Sequence, residues 1–151
     1  MILAVLVFIL DQASKWWVLN GLELAHKPRG SVAVMPTVNF TLVWNHAVTF
    51  GMFGGHAPEL FMVVSLLACL VLLVLLWRSR SVLVSLACGA IMGGALGNVV
   101  DRWRYGAVED FIHFHVGHWS WYVFNVADAF IVGGVGVWIL ASLLAERQHR
   151  A

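Results

Sequence analysis

The sequence predicts an all-α integral membrane protein: four transmembrane helices with a small extracytoplasmic β element and a surface loop or helix. Hydrophobic residues make up 61% of the 151 residues, and the mean hydropathy is +0.85. Charged residues make up only 11%, gathered in short islands between apolar stretches. Four of these stretches approach the ~20 residues that a helix needs to cross the ~30 Å hydrocarbon layer. Because backbone groups cannot stay unpaired in lipid, all four should be helical.

A single membrane domain, 1–151, is expected, since a chain of this length suffices for one domain. The first apolar segment begins at Met1 without a basic flank and carries Asp11 and Lys15. A cleaved signal peptide would have a basic start and an uninterrupted apolar core, so we expect a retained helix instead. The four helices are expected at about 1–19, 60–77, 82–101 and 126–145, and the two long connections at about 20–59 and 102–125.

The distribution of arginines predicts how the chain crosses the membrane. Arg78 and Arg80 lie in the short second connection, and Arg147 and Arg150 lie in the C-terminal tail. The positive-inside rule puts these segments, and with four spans both termini, in the cytoplasm. The two long connections then face outward.

The long connections carry signals of ordered structure. Residues 38–44 alternate polar with β-branched and aromatic side chains, which predicts a strand at the membrane surface. Residues 119–124 give a weaker strand signal. Gly51, Gly54 and Gly55 indicate turns.

Polar pairs interrupt three of the four helices near their outward ends. Placing an ionisable group in hydrocarbon costs roughly 2.5–3.5 kcal/mol, so such groups indicate function. Each pair also has a purely structural explanation: an ion pair at a helix end, a snorkelling arginine or an Asn cap. The pairs are Asp11 with Lys15, Asn98 with Arg102, and Asn125 with Asp128.

Small residues predict that the third and fourth helices pack closely. Gly93 and Gly97 are four residues apart on the third helix, and the fourth helix contains glycines at 133, 134 and 136. The loop joining these helices carries Asp110, which packing would bring near Asp128. Two adjacent carboxyls can share one proton, and such a pair can hydrolyse a peptide bond by general acid–base catalysis.

Two other functions fit the same residues. His113, His115 and His118 could hold zinc, which catalytic sites commonly bind through three protein ligands. They lie in an aromatic surface segment where His is ordinary, so we expect no metal. A small transporter or channel subunit could instead use Asp11, Lys15 and the two aspartates for ion passage. Cys69 and Cys88 lie in apolar stretches and are expected to act as small hydrophobes.

Five blocks, in order along the chain, resemble those of the lipoprotein signal peptidases (signal peptidase II). The last three are the most specific. Two positions in the second block depart from the family pattern, Ala47 and Thr49, and Ser14 replaces a common Thr in the first. The blocks are Asp-Gln-Ala-Ser-Lys at 11–15, the segment 45–53, Gly-Asn-Val-Val-Asp-Arg at 97–102, Gly-Ala-Val-Glu-Asp-Phe at 106–111 and Phe-Asn-Val-Ala-Asp at 124–128.

The resemblance implies an aspartyl endopeptidase of the bacterial inner membrane, working as a monomer at the periplasmic face. It would remove the signal peptide from diacylglyceryl-modified prolipoproteins, cutting before the lipidated cysteine. Asp110 and Asp128 correspond to the catalytic residues. The expected partners are the lipidated prolipoprotein and membrane lipid; no cofactor is implied, and a net charge of +1 gives no reason to expect nucleic acid. The positions expected to line or shape the site are Asn45, Asn98, Arg102, Asn125, Asp11 and Lys15.

Overall fold

The computed structural model describes residues 1–46 and 57–150, and it contains the four predicted helices. Each is long and apolar enough to cross a membrane. The turn glycines at 51, 54 and 55, with most of the 45–53 block, lie outside the described residues. The helices are α1 (Ile2–Trp16), α2 (Ala57–Arg78), α3 (Val82–Tyr105) and α4 (Val126–Arg150).

The helices run further than the apolar segments alone predict. α1 continues through a π-helical turn, Trp17–Gly21, and a 3₁₀ turn, Leu24–His26. α3 extends past its expected end at 101, because its last turn carries Arg102 and Arg104 and stops at Gly106. Gly106 has φ +68°, a left-handed conformation that favours glycine at a helix C-terminus.

The central helix of the bundle is α3. Of its membrane-spanning window 56% is buried, compared with 6% for α2. It packs against α1, α2 and α4. Cys88 of α3 is buried in an apolar cluster with Ala4, Leu72 and Met92, as expected for a cysteine acting as a small hydrophobe.

The predicted packing of α3 against α4 is confirmed, and Gly134 takes part in it as predicted, but the α3 glycine in the contact is neither Gly93 nor Gly97. Gly93 and Gly97 face α1: a Cβ at Gly93 would lie 2.5 Å from the Ala4 carbonyl oxygen, and one at Gly97 would meet the Asp11 carboxylate. The α3–α4 contact uses Gly94, which meets the Ala127 carbonyl, and Gly134, which meets the Ala87 carbonyl. A four-residue spacing predicts a shared face, not the helix that covers it.

The two long connections combine into one antiparallel sheet. It has the order β1-β2-β3-β4, and residues 38–44 form a strand as predicted. The sequence placed Asp110 in a loop, which is wrong: it lies within β3 and opposite Val43 of β2. Of 119–124, only the first two residues form a strand, with an isolated bridge at Phe124. The strands are β1 (Ser31–Met35), β2 (Val38–Asn45), β3 (Val108–Val116) and β4 (Trp119–Ser120).

An aromatic and aliphatic cluster attaches the sheet to the bundle. Phe40 of β2 makes edge-to-face contacts with Trp17, at 6.0 Å, and Phe111, at 5.7 Å. Phe111 is buried with Val18 and Leu24 from the segment that follows α1. Since Phe111 follows Asp110, this packing fixes where β3 presents that carboxyl.

Replacing Gly93 with Ala tests the close α1–α3 approach. The new methyl group would overlap the backbone of α1, and overpacking of this kind typically costs about 1–3 kcal/mol. We expect the thermal unfolding temperature in detergent to fall. Gly133→Ala is the control, because a Cβ there meets no heavy atom of the described residues within 4 Å. Equal unfolding temperatures for the two variants would contradict the packing.

Candidate active site

All eight predicted site residues lie in one hydrogen-bonded network. The network occupies the end of the bundle at which α1 and α3 end and α4 begins. Five elements contribute: α1 and α3 supply polar groups from their C-terminal halves, α4 supplies Asp128 and its cap Asn125, and β2 and β3 supply one side chain each. The residues are Asp11, Lys15, Asn45, Asn98, Arg102, Asp110, Asn125 and Asp128.

Asn125 joins Asp110 and Asp128, called here the aspartate pair. Its amide nitrogen donates to Asp110 Oδ1 at 2.7 Å and to Asn98 Oδ1 at 3.2 Å. Its side-chain oxygen accepts from the Asp128 backbone N–H at 2.9 Å, and Asp128 Oδ2 accepts from the Asn125 N–H at 3.3 Å. This reciprocal arrangement is a capping box, so Asn125 caps α4 and also bridges the pair.

Two further amides orient the pair. Asn98 donates to Asp128 Oδ1 at 2.9 Å, and Asn45 donates to Asp110 Oδ2 at 3.0 Å. Asp110 is buried, whereas Asp128 is half-buried. Asn125 therefore links a strand residue to a helix residue, and amide N–H groups hold each carboxyl.

Behind the pair, Lys15 is buried among acceptors from two helices. The predicted Asp11–Lys15 pair is confirmed at 2.8 Å. Lys15 Nζ also contacts Asp101 Oδ2 at 2.7 Å and donates to Asn98 Oδ1 at 3.2 Å. Asp11 in turn accepts the Ala127 backbone N–H at 2.9 Å, which ties α1 to the start of α4. We call Asp11, Lys15, Asn98 and Asp101 the lysine cluster.

Asp101 is a site residue that the sequence reasoning missed. Besides Lys15, its carboxylate accepts from Gln12 Nε2 at 3.1 Å and from the Glu109 backbone N–H at 3.3 Å. The signal was its spacing: Asp101 is three residues after Asn98, so the two share a helix face.

Arg102 lies on the side of the network that faces α2. Its guanidinium is 5.5 Å from the centroid of the Phe61 ring, and Nη1 donates to the Asn98 carbonyl at 3.4 Å. Its Nε is buried without a hydrogen-bond partner among the described residues.

The environment of Asp110 raises its pKa towards neutrality. Burial raises the pKa of Asp110 to about 6, and the negative charge of Asp128 acts in the same direction. The hydrogen bonds from Asn45 and Asn125 lower that pKa and only partly offset the effect. A carboxyl with such a pKa can exchange a proton near neutral pH.

A cavity of about 590 Å³ opens beside Asp110, outside the helical bundle. It is bordered by the end of β2, including Asn45, by His113 of β3, and by residues 120–123. His113 Nε2 is 2.6 Å from Ser120 Oγ. Within the described residues no three His, Cys, Asp or Glu side chains form a group suited to a metal, so the zinc hypothesis gains no support from this arrangement.

Glu109 is a second residue that the sequence reasoning missed. It is 1% exposed, and its Oε1 has no hydrogen-bond partner within the part of the chain that the structure describes. Burial, together with the nearby Asp101 carboxylate, raises the pKa of Glu109 to about 8. The side chain is therefore mostly uncharged at neutral pH.

Glu109→Gln should remove a pH dependence of stability. The folded protein keeps this proton up to about pH 8, whereas the unfolded chain releases it near 4.5. Wild-type stability should thus fall as pH rises between these values, with a slope of at most about 1.4 kcal/mol per pH unit. We expect Glu109→Gln to unfold at a higher temperature than wild type at pH 8 and at a similar one at pH 4.5. Glu59→Gln, an exposed position at the start of α2, is the control; the same shift in both variants would refute the assignment.

Known proteins are similar to this chain in sequence and in fold. A family model described as signal peptidase (SPase) II, Peptidase_A8, matches residues 3–144. The lipoprotein signal peptidase of Methylorubrum extorquens (strain PA1) is 50% identical over 137 residues, covering 89% of this chain and 79% of its own. That of Methylobacterium radiotolerans is 46% identical, covering 97% and 87%.

Two solved structures, both of bacterial membrane enzymes studied by the in meso method, superpose with TM-scores of 0.82. Their identities are 26% and 28%; the matches cover 99% and 94% of this chain and 90% of each of theirs. The family match spans nearly the whole chain, including every residue of the network described above. The chain is therefore a member of the signal peptidase II family.

Proposed function

We propose that this protein is an aspartyl endopeptidase that removes the signal peptide from diacylglyceryl-modified prolipoproteins, cutting before the lipidated cysteine. The observation that carries the proposal is the shared anchoring of Asp110 and Asp128 by Asn125. Membership of the signal peptidase II family supports the same activity and substrate class.

In the proposed mechanism the aspartate pair divides acid and base roles. Asp128 lies in the first turn of α4 and accepts two N–H donors, an arrangement suited to the carboxylate that activates water. Asp110 holds the proton, polarises the scissile carbonyl and then protonates the leaving amine. The proton of the attacking water passes to Asp128, and transfer of a proton from Asp128 to Asp110 after product release restores the starting state.

The surroundings suggest how the substrate is held. Arg102, whose Nε has no hydrogen-bond partner among the described residues, is placed to bind a carbonyl or lipid-ester oxygen of the substrate. The apolar surfaces of the helices suit the signal helix and the acyl chains. All these groups come from one chain, so a monomer suffices.

The proposed orientation puts the site at the periplasmic face of the bacterial inner membrane and both termini in the cytoplasm. The arginine-containing α2–α3 connection lies at the end of the bundle opposite the aspartate pair. The positive-inside rule supports placing that end in the cytoplasm.

Asp110→Asn and Asp128→Asn should each abolish cleavage. An amide can neither act as the base nor donate the catalytic proton, and losing such a group typically costs about 10²–10⁴-fold in rate. The measurement is release of signal peptide from a purified diacylglyceryl-prolipoprotein in detergent. Glu59→Gln is the control, and thermal unfolding shows that each variant is folded. A folded Asp variant that retains substantial cleavage would exclude the assigned pair.

Asn45→Ala should shift the pH dependence of cleavage. The Asn45 hydrogen bond lowers the pKa of Asp110, so its loss raises that pKa further. Asp110 must be protonated to act as the acid, so activity falls as pH rises through its pKa. We expect the alkaline limb of kcat/KM to move to higher pH. Asn39→Ala, on the same strand but paired with His113, should leave the limb unmoved. An unshifted limb in Asn45→Ala would argue that Asp110 is not the acid.

A further inference from the structure

A second cavity, separate from the one beside Asp110, lies between the ends of α1 and α3 and the start of β3. Its volume is about 270 Å³. A water molecule occupies ~30 Å³ in the liquid, so the cavity has room for a group of several heavy atoms. The cleavage mechanism makes no use of it. Its walls include Trp16, Asn20, Asp101, Arg104, Tyr105 and Glu109.

The inner part of this cavity suits a cation that can donate hydrogen bonds. Lys15 borders it, but an ammonium group has three donors and those of Lys15 already face Asp11, Asp101 and Asn98. Glu109, in contrast, has a free acceptor: its buried carboxyl oxygen Oε1 receives no hydrogen bond from the described residues. The helical segments of α1 and α3 also end here, and helix C-termini favour positive charge.

The mouth of the cavity has a different character. Arg104 is exposed there, with its guanidinium 5.0 Å from the centroid of the Tyr105 ring. A guanidinium in this position can pair with a phosphate. Trp16 is 66% exposed and Tyr105 42% exposed, as is usual for aromatic side chains at the level of lipid headgroups.

We propose that this cavity binds the headgroup of a phospholipid with a primary amine, of the phosphatidylethanolamine type. The ammonium group donates to Glu109, and the phosphate lies at Arg104. The order of the groups fits such a headgroup, because a hydrogen-bond-accepting carboxyl lies inside and a cation lies at the mouth. An ammonium ion beside Glu109 supplies the donor that the described residues do not provide and stabilises the ionised carboxylate. The proposal does not rest on the proposed cleavage reaction.

Native mass spectrometry of the full chain, stripped of lipid and then given equal amounts of two lipids with matched acyl chains, tests the proposal. The lipids are phosphatidylethanolamine and phosphatidylglycerol. We expect the amine lipid to be retained roughly tenfold more, the scale of one charge-assisted hydrogen bond. Glu109→Gln should bring the ratio close to one, and Arg104→Ala should weaken retention of both lipids. Glu59→Gln should keep the wild-type ratio.

The ratio is measured within one sample, so differences in folded fraction between variants do not affect it. Equal retention of the two lipids by wild type, or an unchanged ratio in Glu109→Gln, would overturn the proposal. Phosphatidylcholine should be retained less than phosphatidylethanolamine, because its trimethylated nitrogen has no N–H to donate; equal retention would exclude recognition of a primary amine. Displacement of the lipid by an equal concentration of glycerophosphoethanolamine would show a site for soluble headgroups and would overturn the lipid assignment.

Discussion

The site depends on one buried cation. Lys15 places its ammonium group between Asp11, Asp101 and Asn98, and through them it holds α1, α3 and the start of α4 together. Removing one partner of a buried ion pair costs about 3–5 kcal/mol, because the remaining charge has lost its solvent and its counter-ion. The three helices therefore cannot separate at this level without exposing that charge to hydrocarbon.

Asn98 connects the lysine cluster to the aspartate pair. The Asn98 side-chain oxygen faces Lys15, and its amide nitrogen donates to Asp128. Because Lys15 occupies the oxygen, the amide can only present its N–H groups to Asp128. The position of the buried cation thus fixes the orientation of the Asn98 amide and, through it, the position of the Asp128 carboxylate. Asn125 links this network to Asp110, because its amide nitrogen donates to both Asn98 Oδ1 and Asp110 Oδ1.

The helices and the network could be foreseen to different extents. Bilayer thickness constrains helix length, so the four spans followed from hydropathy, and the four-residue spacing of Asp11 and Lys15 correctly indicated their pairing. The partner of each glycine face could not be read from spacing, because Gly93 and Gly97 would fit against any helix. Asp101 and Glu109 were missed for a related reason. Asp101 makes its contacts with Gln12 and Lys15 of α1, which are distant in sequence, and Glu109 is distinguished by its burial; the aspartate pair, in contrast, was identified from its flanking motifs.

The sequence separations within the lysine cluster have a consequence for biosynthesis. Lys15 and its acceptor Asn98 are 83 residues apart, and Asp11 is 116 residues from the Ala127 N–H that it accepts. While the ribosome is still making α2, α1 has only its own Asp11–Lys15 pair to neutralise its polar face. The remaining hydrogen-bond and charge partners of this polar face therefore become available only after α3 and the start of α4 have been synthesised.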